Sequence, residues 1–261
     1  MTSPVESIHA DATLDEALDL MSGLRIRHLP VMDEGKLSGI LSDRDLLRVT
    51  GGLPARVREI YQDPQRVRVL RVRDLAQAAP SLAPDDEALT PFLAPRGIDR
   101  PSAFVVLEDD ELIGIVTEVD LIRTWLASGS AQLDHAVDRV MTRKVAKVTP
   151  ETPLSEAGKL LEDLGCRHLP VLGEEGLVGI VSQRDILRAR GRNKGDLRPV
   201  EDVMTSSPEF AAHDESVRSV AERMAEQGFS ALPVMDGEHV VGIVTIADLL
   251  GMMSRDQAQK P

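Results

Sequence analysis

The heptapeptide Gly179-Ile180-Val181-Ser182-Gln183-Arg184-Asp185 contains a pattern that occurs four times along the chain. A glycine is followed by Ile, by Val or Leu, and by Ser or Thr, and an Asp lies three residues after the hydroxyl residue. The other three copies begin at Gly39, Gly114 and Gly242. Self-similarity at such spacings is typical of proteins built from structural repeats. The chain is therefore predicted to contain four copies of one unit.

A second signature precedes the pattern in three of the four copies. Residues 27–31 and 167–171 both read Arg-His-Leu-Pro-Val, and residues 230–234 end in the same Leu-Pro-Val. The first two segments are 140 residues apart, as are Gly39 and Gly179. The first half of the chain therefore resembles the second half, and each half is itself doubled.

A third signature opens the units. Met141-Thr142 and Met204-Thr205 each follow a Val and precede a short polar stretch, and Met1-Thr2 matches them loosely. The second unit has no Met-Thr pair near Val72, so we expect it to have lost this opening. Three signatures that recur together are far beyond chance.

The third unit shows which secondary structure the repeat predicts. Apolar residues recur at helical spacing over residues 152–164, which indicates an amphipathic helix that ends at Gly165. Residues 168–172 and 177–182 are short β-type runs on either side of a Gly-Glu-Glu-Gly turn, which predicts a hairpin. A second, shorter helix begins near Asp185. Each unit is thus predicted to be a strand, helix, strand, strand, helix, and the fold class to be mixed α/β (α+β).

The repeat also predicts the domain boundaries. One hairpin with one helix cannot bury both of its faces, so the units are expected to pack in pairs. Two linkers separate them, an Arg-rich one at residues 51–69 and another at residues 128–137. The four units are predicted at residues 1–50, 70–127, 138–190 and 200–253.

Composition restricts the function. The formal net charge is −13, and aromatic residues make up only 2% of the chain. A surface that binds nucleic acid is usually basic, because contacts to phosphate dominate its affinity, and single strands are bound by stacking on aromatic side chains. We therefore predict no nucleic acid partner. One small anionic ligand in a locally basic pocket remains compatible with this composition.

Cysteine usage and hydropathy favour the cytoplasm. Cys166 is the only cysteine, which argues against a disulfide framework and a cysteine-based metal cluster. The N-terminus has no basic stretch followed by an apolar run, and no apolar run approaches the ~18 residues of a membrane span. The six histidines show no metal-ligand spacing, and no Gly-rich phosphate loop or nucleophile elbow occurs. We expect a cytoplasmic protein that binds no metal and is not an enzyme.

The Met-Thr opening, the Leu-Pro-Val strand and the Gly-Ile-Val-Ser/Thr-x-x-Asp pattern resemble CBS domains, a family named after cystathionine β-synthase. The resemblance covers nearly the whole chain. It is weaker in the second unit, where residues 101–106 replace the Leu-Pro-Val strand and Pro91 interrupts the first helix. The resemblance implies four CBS units, paired into two Bateman modules in a disk-like assembly. It also implies clefts between paired units that bind adenosine compounds such as AMP, ADP, ATP, S-adenosylmethionine or dinucleotides.

The Ser/Thr-x-x-Asp pattern has two interpretations. In the first, the hydroxyl residue is a helix N-cap and the Asp completes a capping-box variant, which contributes roughly 1 kcal/mol without any ligand. In the second, the helix N-terminus binds phosphate, and the resemblance implies that the hydroxyl contacts phosphate and the Asp contacts ribose. The preceding glycine indicates close approach of either a ligand or the paired unit. The residues concerned are Ser42, Asp45, Thr117, Asp120, Ser182, Asp185, Thr245 and Asp248.

Basic residues accompany the pattern in the first and third units. The resemblance implies that they reach phosphate, and the alternative is an exposed strand end or an exposed arginine in the first helical turn. The second and fourth units have Ser-Ala at the strand start, so each half has one basic and one neutral member. We predict at most one well-formed phosphate site per half, or two unequal ones. The candidates are Arg27, His28, Arg44, Arg167, His168 and Arg184.

Adenine requires only an apolar slot and backbone groups. The resemblance places this slot near the Met-Thr openings, at Val145 and Ala146 and at residues 207–210. Cys166 lies beside Arg167, where it is either a perturbed thiolate or, as is commoner at such a position, a buried small residue.

These features predict a regulatory module that binds an adenosine-containing nucleotide, with AMP, ADP or ATP preferred. Binding in clefts between paired units would be transmitted to an unknown protein partner, with no cofactor beyond the nucleotide itself. A homodimer is expected, because paired modules leave apolar helix faces. The alternatives are a ligand-free interaction scaffold with the same fold and a sensor of S-adenosylmethionine or a dinucleotide. A cryptic enzyme is disfavoured because the repeats leave no room for a catalytic domain.

Overall fold

The computed structural model describes residues 2–47, 70–83, 103–190 and 197–257. The described residues form two compact bodies, one with residues 2–47, 70–83 and 103–117 and the other with residues 118–190 and 197–257. Each body holds two three-stranded sheets. The predicted linker 51–69 and Pro91 lie outside the described residues.

The first body contains the strands and helices of the first unit and the strands of the second. A single 3-10 turn at Val72–Asp74 precedes β4. The elements are β1 (Ile8–His9), α1 (Leu14–Leu24), β2 (His28–Asp33), β3 (Lys36–Ser42), α2 (Asp43–Leu47), β4 (Ser81–Leu82), β5 (Ala103–Glu108) and β6 (Glu111–Thr117).

The second body begins with a helix that follows β6 directly and then contains the third and fourth units. The mixed α/β fold class is confirmed. Short 3-10 turns lie at Ala131–Asp134, Val137–Arg139 and Val200–Asp202. The elements are α3 (Glu118–Ala127), α4 (Leu154–Asp163), β7 (His168–Gly173), β8 (Gly176–Ser182), α5 (Gln183–Arg190), β9 (Thr205–Ser206), β10 (Ala211–Ala212), α6 (Val217–Gln227), β11 (Ala231–Asp236), β12 (His239–Thr245) and α7 (Ile246–Gln257).

The four hairpins share one register. In β2 and β3 the antiparallel pairing shifts between Val31 and Met32, and the other three hairpins shift at the equivalent point. The second unit keeps this geometry although Phe104-Val105-Val106 replaces Leu-Pro-Val, since all three of these side chains are buried. Burial on both faces of a short strand therefore requires apolar residues but not the Leu-Pro-Val sequence itself.

Paired units exchange their opening segments. In the first body, Thr2 of the first unit exchanges two backbone hydrogen bonds with Ile115 of the second, at 2.9 and 3.2 Å. Gln77 of the second unit exchanges two with Ile40 of the first, both at 2.9 Å. Each opening thus adds to the edge of the other unit's hairpin, which is why neither unit completes its sheet alone.

The second body repeats this exchange. Thr142, which opens the third unit, exchanges backbone hydrogen bonds with Ile243 of β12 at 2.9 and 3.0 Å. Thr205, which opens the fourth unit, pairs with Ile180 of β8. The same reciprocal arrangement therefore holds both pairs together.

We expected the second unit to have lost its opening segment. This expectation is wrong for the backbone, which keeps the pairing. Ala76-Gln77 replaces the Met-Thr pair, but Gln77 still pairs with the first unit, because the pairing uses only main-chain groups. A better signal lies four residues before each opening. Val72, Val137 and Val200 occupy that position and are fully buried.

The repeated glycines lie where the exchanged openings cross the hairpins. A Cβ added at Gly39 would lie 2.6 Å from the carbonyl oxygen of Gln77. At Gly242 it would lie 2.9 Å from the carbonyl oxygen of Thr142, and at Gly179 it would collide with the Met204 sulfur. Of the two explanations offered for these glycines, the structure supports close approach of the paired unit.

We predict that alanine at these glycines destabilises the protein in a defined order. Gly39→Ala and Gly242→Ala should each cost about 2–3 kcal/mol, because the added methyl meets rigid backbone, whereas Gly179→Ala should cost less, because the Met204 side chain can move. Chemical denaturation measures the three values. Gly23→Ala is the control, since nothing lies within 4 Å of its added methyl. Equal losses at Gly39 and Gly23 would contradict the explanation.

The first helices of three units end in a left-handed residue at equivalent positions. Gly165 and Gly228 adopt φ of 61° and 74°, which glycine does without strain. The first unit has Arg25 there, with φ of 56°.

The helix predicted over residues 152–164 itself spans Leu154–Asp163, because Pro153 at its N-cap has extended backbone.

Arg25→Gly should therefore stabilise the protein by about 1 kcal/mol, since a left-handed conformation costs about that much when a Cβ is present. Arg25→Ala is the matched control, because it removes the side chain but keeps the Cβ. Thermal unfolding should separate the two variants by several degrees. If both variants had the same stability, backbone strain at residue 25 would not be the cause.

Candidate functional site

The Ser/Thr-x-x-Asp pattern forms a complete capping box in the first, third and fourth units. In the third unit, the Ser182 N–H and hydroxyl both donate to Asp185 Oδ2, at 2.8 and 2.6 Å. The Asp185 N–H donates back to the Ser182 hydroxyl at 3.3 Å. The corresponding three distances are 2.7, 2.5 and 3.3 Å between Ser42 and Asp45. They are 2.9, 2.6 and 3.4 Å between Thr245 and Asp248.

Burial distinguishes the three carboxylates. Asp45 and Asp248 are only 6% and 3% exposed, so the hydrogen bonds within each box replace solvent around a buried polar group. Asp185 is half-buried and is therefore more accessible to a ligand. Capping accounts for all three boxes, and the ligand interpretation stays a prediction.

The exchanged opening brings one unit to the motif of the other. Thr142 donates from its hydroxyl to Asp248 Oδ1 at 3.4 Å, while Oδ2 of the same Asp accepts from Thr245. Val145 and Ala146 follow Thr142 closely and are half-buried, and Ala146 packs against the core of the third unit. These two adenine candidates thus belong to a segment that meets the fourth unit's motif at Thr142.

Four of the six predicted basic residues lie at or just before the strand starts, close to the motifs. His28 is in register with Ser42, and His168 is in register with Ser182. His168 also forms a hydrogen bond between Nε2 and the Ser230 hydroxyl of the fourth unit, at 3.0 Å. Ser230 was not among the candidate residues, although its place in the second signature, just before the Leu-Pro-Val strand, marked it.

The helix starts are tied to the same strand starts. The Asp43 N–H donates to the Arg27 carbonyl, and the Gln183 N–H donates to the Arg167 carbonyl, each at 3.0 Å. The side chains of Arg27, Arg167 and Arg184 are half-buried. Arg44 lies in α2, and its side chain falls outside the described part of the structure.

Comparison with known proteins agrees with this architecture. The family model for the CBS domain matches residues 1–52, 137–192 and 200–255, which together exceed half of the chain.

The chain belongs to the CBS domain family.

Two relatives match this CBS protein over nearly its full length. Protein MJ1225 of Methanocaldococcus jannaschii is 26% identical, with 94% of each chain covered. Its crystal structure, described as that of a proposed archaeal homologue of γ-AMPK, has a TM-score of 0.80 over 97% of each chain at 25% identity. An uncharacterised 33.4 kDa protein of Thermofilum pendens is 28% identical over 97% of this chain and 89% of its own. Paired CBS units of this kind are generally regulatory.

The second CBS unit lies outside the segments that the family model matches, yet its strands have the shared register. Thr117 is the last residue of β6, and Asp120 lies in the first turn of α3. Both side chains are half-buried. The second unit is therefore a CBS unit whose sequence has diverged further than its backbone.

Residues 207–210, the other adenine candidates of the CBS resemblance, form an exposed segment. Ser207 adopts a left-handed φ of 48°, and its N–H donates to the Val178 carbonyl at 3.0 Å. Phe210 is 50% exposed, and its carbonyl accepts from Arg223 at 3.0 Å. An adenine bound at residues 207–210 would therefore have to cover the exposed Phe210 side chain itself.

Cys166 packs against the core of the third CBS unit and is half-buried. Burial raises the pKa of its thiol, so the thiolate is disfavoured at neutral pH. The interpretation as a small buried residue is supported over that as a reactive thiolate. In the described ranges, no three His, Cys, Asp or Glu side chains group in a way that would hold a metal ion. None of the helices in these ranges has the length and apolar character to cross a bilayer.

Cys166 should accordingly react more slowly with iodoacetamide than a free thiol at pH 8, because only the thiolate attacks and its fraction is lowered by the raised pKa. Mass spectrometry over time measures the rate. The same chain unfolded in guanidinium is the control and should react at the rate of a free cysteine. Equal rates in the folded and unfolded chains would contradict burial.

Proposed function

We propose that this chain is a regulatory module that binds an adenosine-containing nucleotide, AMP, ADP or ATP in preference to others, in clefts between paired CBS units. Binding would alter the packing of the pair and so its contacts with a protein partner. The module would act as a homodimer. MJ1225, the proposed archaeal homologue of γ-AMPK, is similar over almost the whole chain.

One observation carries this proposal: the opening of the third unit meets the motif of the fourth. Thr142 and Asp248 are 106 residues apart in sequence, yet their side chains make a hydrogen bond. A ribose hydroxyl can replace the Thr142 hydroxyl at Asp248, because both are donors to the same carboxylate. A ligand that makes this exchange would separate the two segments and thereby loosen the pair.

The first unit offers a motif of the same kind. Asp45 accepts hydrogen bonds from Ser42 as Asp248 does from Thr245. His28 and Arg27 lie at the adjacent strand start. In the third unit Asp185, His168 and Arg167 take these places. These two clefts combine a ribose acceptor with cations for phosphate and are proposed as the stronger sites.

A ligand-free scaffold is the competing function, and the capping boxes favour it. Every hydroxyl and carboxylate of the three boxes has a role in the fold alone. Under that alternative, loss of an Asp changes stability and nothing else.

We expect the double variant Asp45→Ala/Asp185→Ala to bind AMP at least about tenfold more weakly than the native protein, since it removes charged hydrogen-bond acceptors worth more than 1.4 kcal/mol. The control is Thr13→Ala/Ser216→Ala, which removes the N-caps of α1 and α6. Both doubles should lose about 1 kcal/mol per cap. Isothermal titration calorimetry measures affinity, and thermal unfolding measures stability.

The same calorimetry decides between the alternatives. Binding of AMP, ADP or ATP that is at least about tenfold weaker in the Asp double and unchanged in the control supports the proposal. Heat from S-adenosylmethionine alone would favour the sensor of that compound. If none of AMP, ADP, ATP and S-adenosylmethionine bound at millimolar concentration, the ligand-free scaffold would be the remaining function.

A further inference from the structure

His168 lies between the motifs of the third and fourth units. Its backbone is in register with Ser182, the first residue of the third unit's motif. Its Nε2 atom is 3.0 Å from the Ser230 hydroxyl. Ser230 directly precedes Ala231, which is in register with Thr245, the first residue of the fourth unit's motif. One imidazole thus adjoins both motifs of the second body.

The surrounding charges are unequal. The third unit contributes Arg167, His168 and Arg184, whereas the fourth has Ser230, Ala231 and Ala247 at the matching positions. A phosphate beside the fourth unit's motif therefore finds no cation at the strand start of its own unit. The structure joins His168 to that strand start through its hydrogen bond to Ser230.

We propose that the two clefts of the second body share His168 as a single phosphate-binding residue, so that a nucleotide in one cleft excludes a nucleotide from the other. This inference rests on the proposed function. It concerns only ligands with a phosphate, because adenosine has no group that requires His168. The second body would then bind one AMP but two adenosines.

Electrostatics opposes double occupancy. A phosphomonoester carries a charge of roughly −1.5 to −2 near neutral pH. Two of them that contact one imidazole lie within several ångströms of each other and repel strongly. The second AMP is therefore expected to bind on the order of 100-fold more weakly than the first.

Stoichiometry in single and double variants provides the test. We would count bound AMP and bound adenosine by native mass spectrometry on the full chain and on Asp185→Ala, Asp248→Ala and the double variant. If the clefts exclude each other, each single variant keeps the native number of AMP molecules, and the double variant loses one. Each single variant should lose one adenosine, because the clefts hold adenosine independently.

The opposite outcomes are distinct. Loss of one AMP in each single variant would show two independent sites and overturn the shared residue, while leaving nucleotide binding intact. No AMP on the native chain would contradict the proposed function as well. If an alanine variant fails to fold, Asp185→Asn or Asp248→Asn, which keep an acceptor for the helix cap, replace it.

A second measurement tests His168 directly. His168→Gln keeps a hydrogen-bonding group for Ser230 but removes the imidazole. It should weaken AMP binding about tenfold in both the Asp185→Ala and the Asp248→Ala backgrounds, and leave adenosine binding unchanged. His239→Gln, at an exposed position in β12, is the control and should change neither. Weaker AMP binding in only one background would show that His168 serves one cleft, and would overturn the proposal.

Discussion

The exchange of opening segments between paired units is the constraint on which the remaining structure depends. Three of the openings, at Thr2, Gln77 and Thr142, each form two backbone hydrogen bonds with the other unit's hairpin, and Thr205 pairs with the third unit's hairpin. A side chain at Gly39 or Gly242 would push the opening away from the sheet edge. Because these bonds are made between units, a unit completes its sheet only when it pairs. Pairing also covers a hairpin edge that would otherwise be exposed.

Much of this fold is predictable because the backbone of each unit requires the same kinds of residue at the same positions, so the pattern repeats along the sequence. The glycines, the apolar strands and the helical spacing recur, and together they indicate the fold class, while the sequence motifs resemble those of the CBS family. The opening of the second unit was misjudged because main-chain hydrogen bonds do not depend on a Met-Thr pair. What the fold does require there is the buried Val72, whose equivalents Val137 and Val200 were visible in the sequence.

The candidate site was predictable only in part. Capping is local, so Ser182 and Asp185 could be matched three residues apart, and the structure shows that pairing. Which opening faces which motif is a tertiary fact, and no spacing rule relates Thr142 to Asp248 or His168 to Ser230. The neighbour of the repeated glycine is also a tertiary fact. The sequence pattern shows that the glycine recurs, but it does not show whether a ligand or the paired unit lies against it.

Differences between equivalent positions separate what the fold needs from what it merely permits. The helix starts of the third and fourth units are held alike, since the Gln183 N–H donates to the Arg167 carbonyl at 3.0 Å and the Ile246 N–H to the Ser230 carbonyl at 3.2 Å. The fourth unit does this with Ser and Ala, so the backbone does not require cations at a strand start. Burying part of a charged or polar side chain at Arg167 and His168 costs solvation that Ser and Ala would avoid. In the proposed function, a bound phosphate would offset this cost at Arg167 and His168.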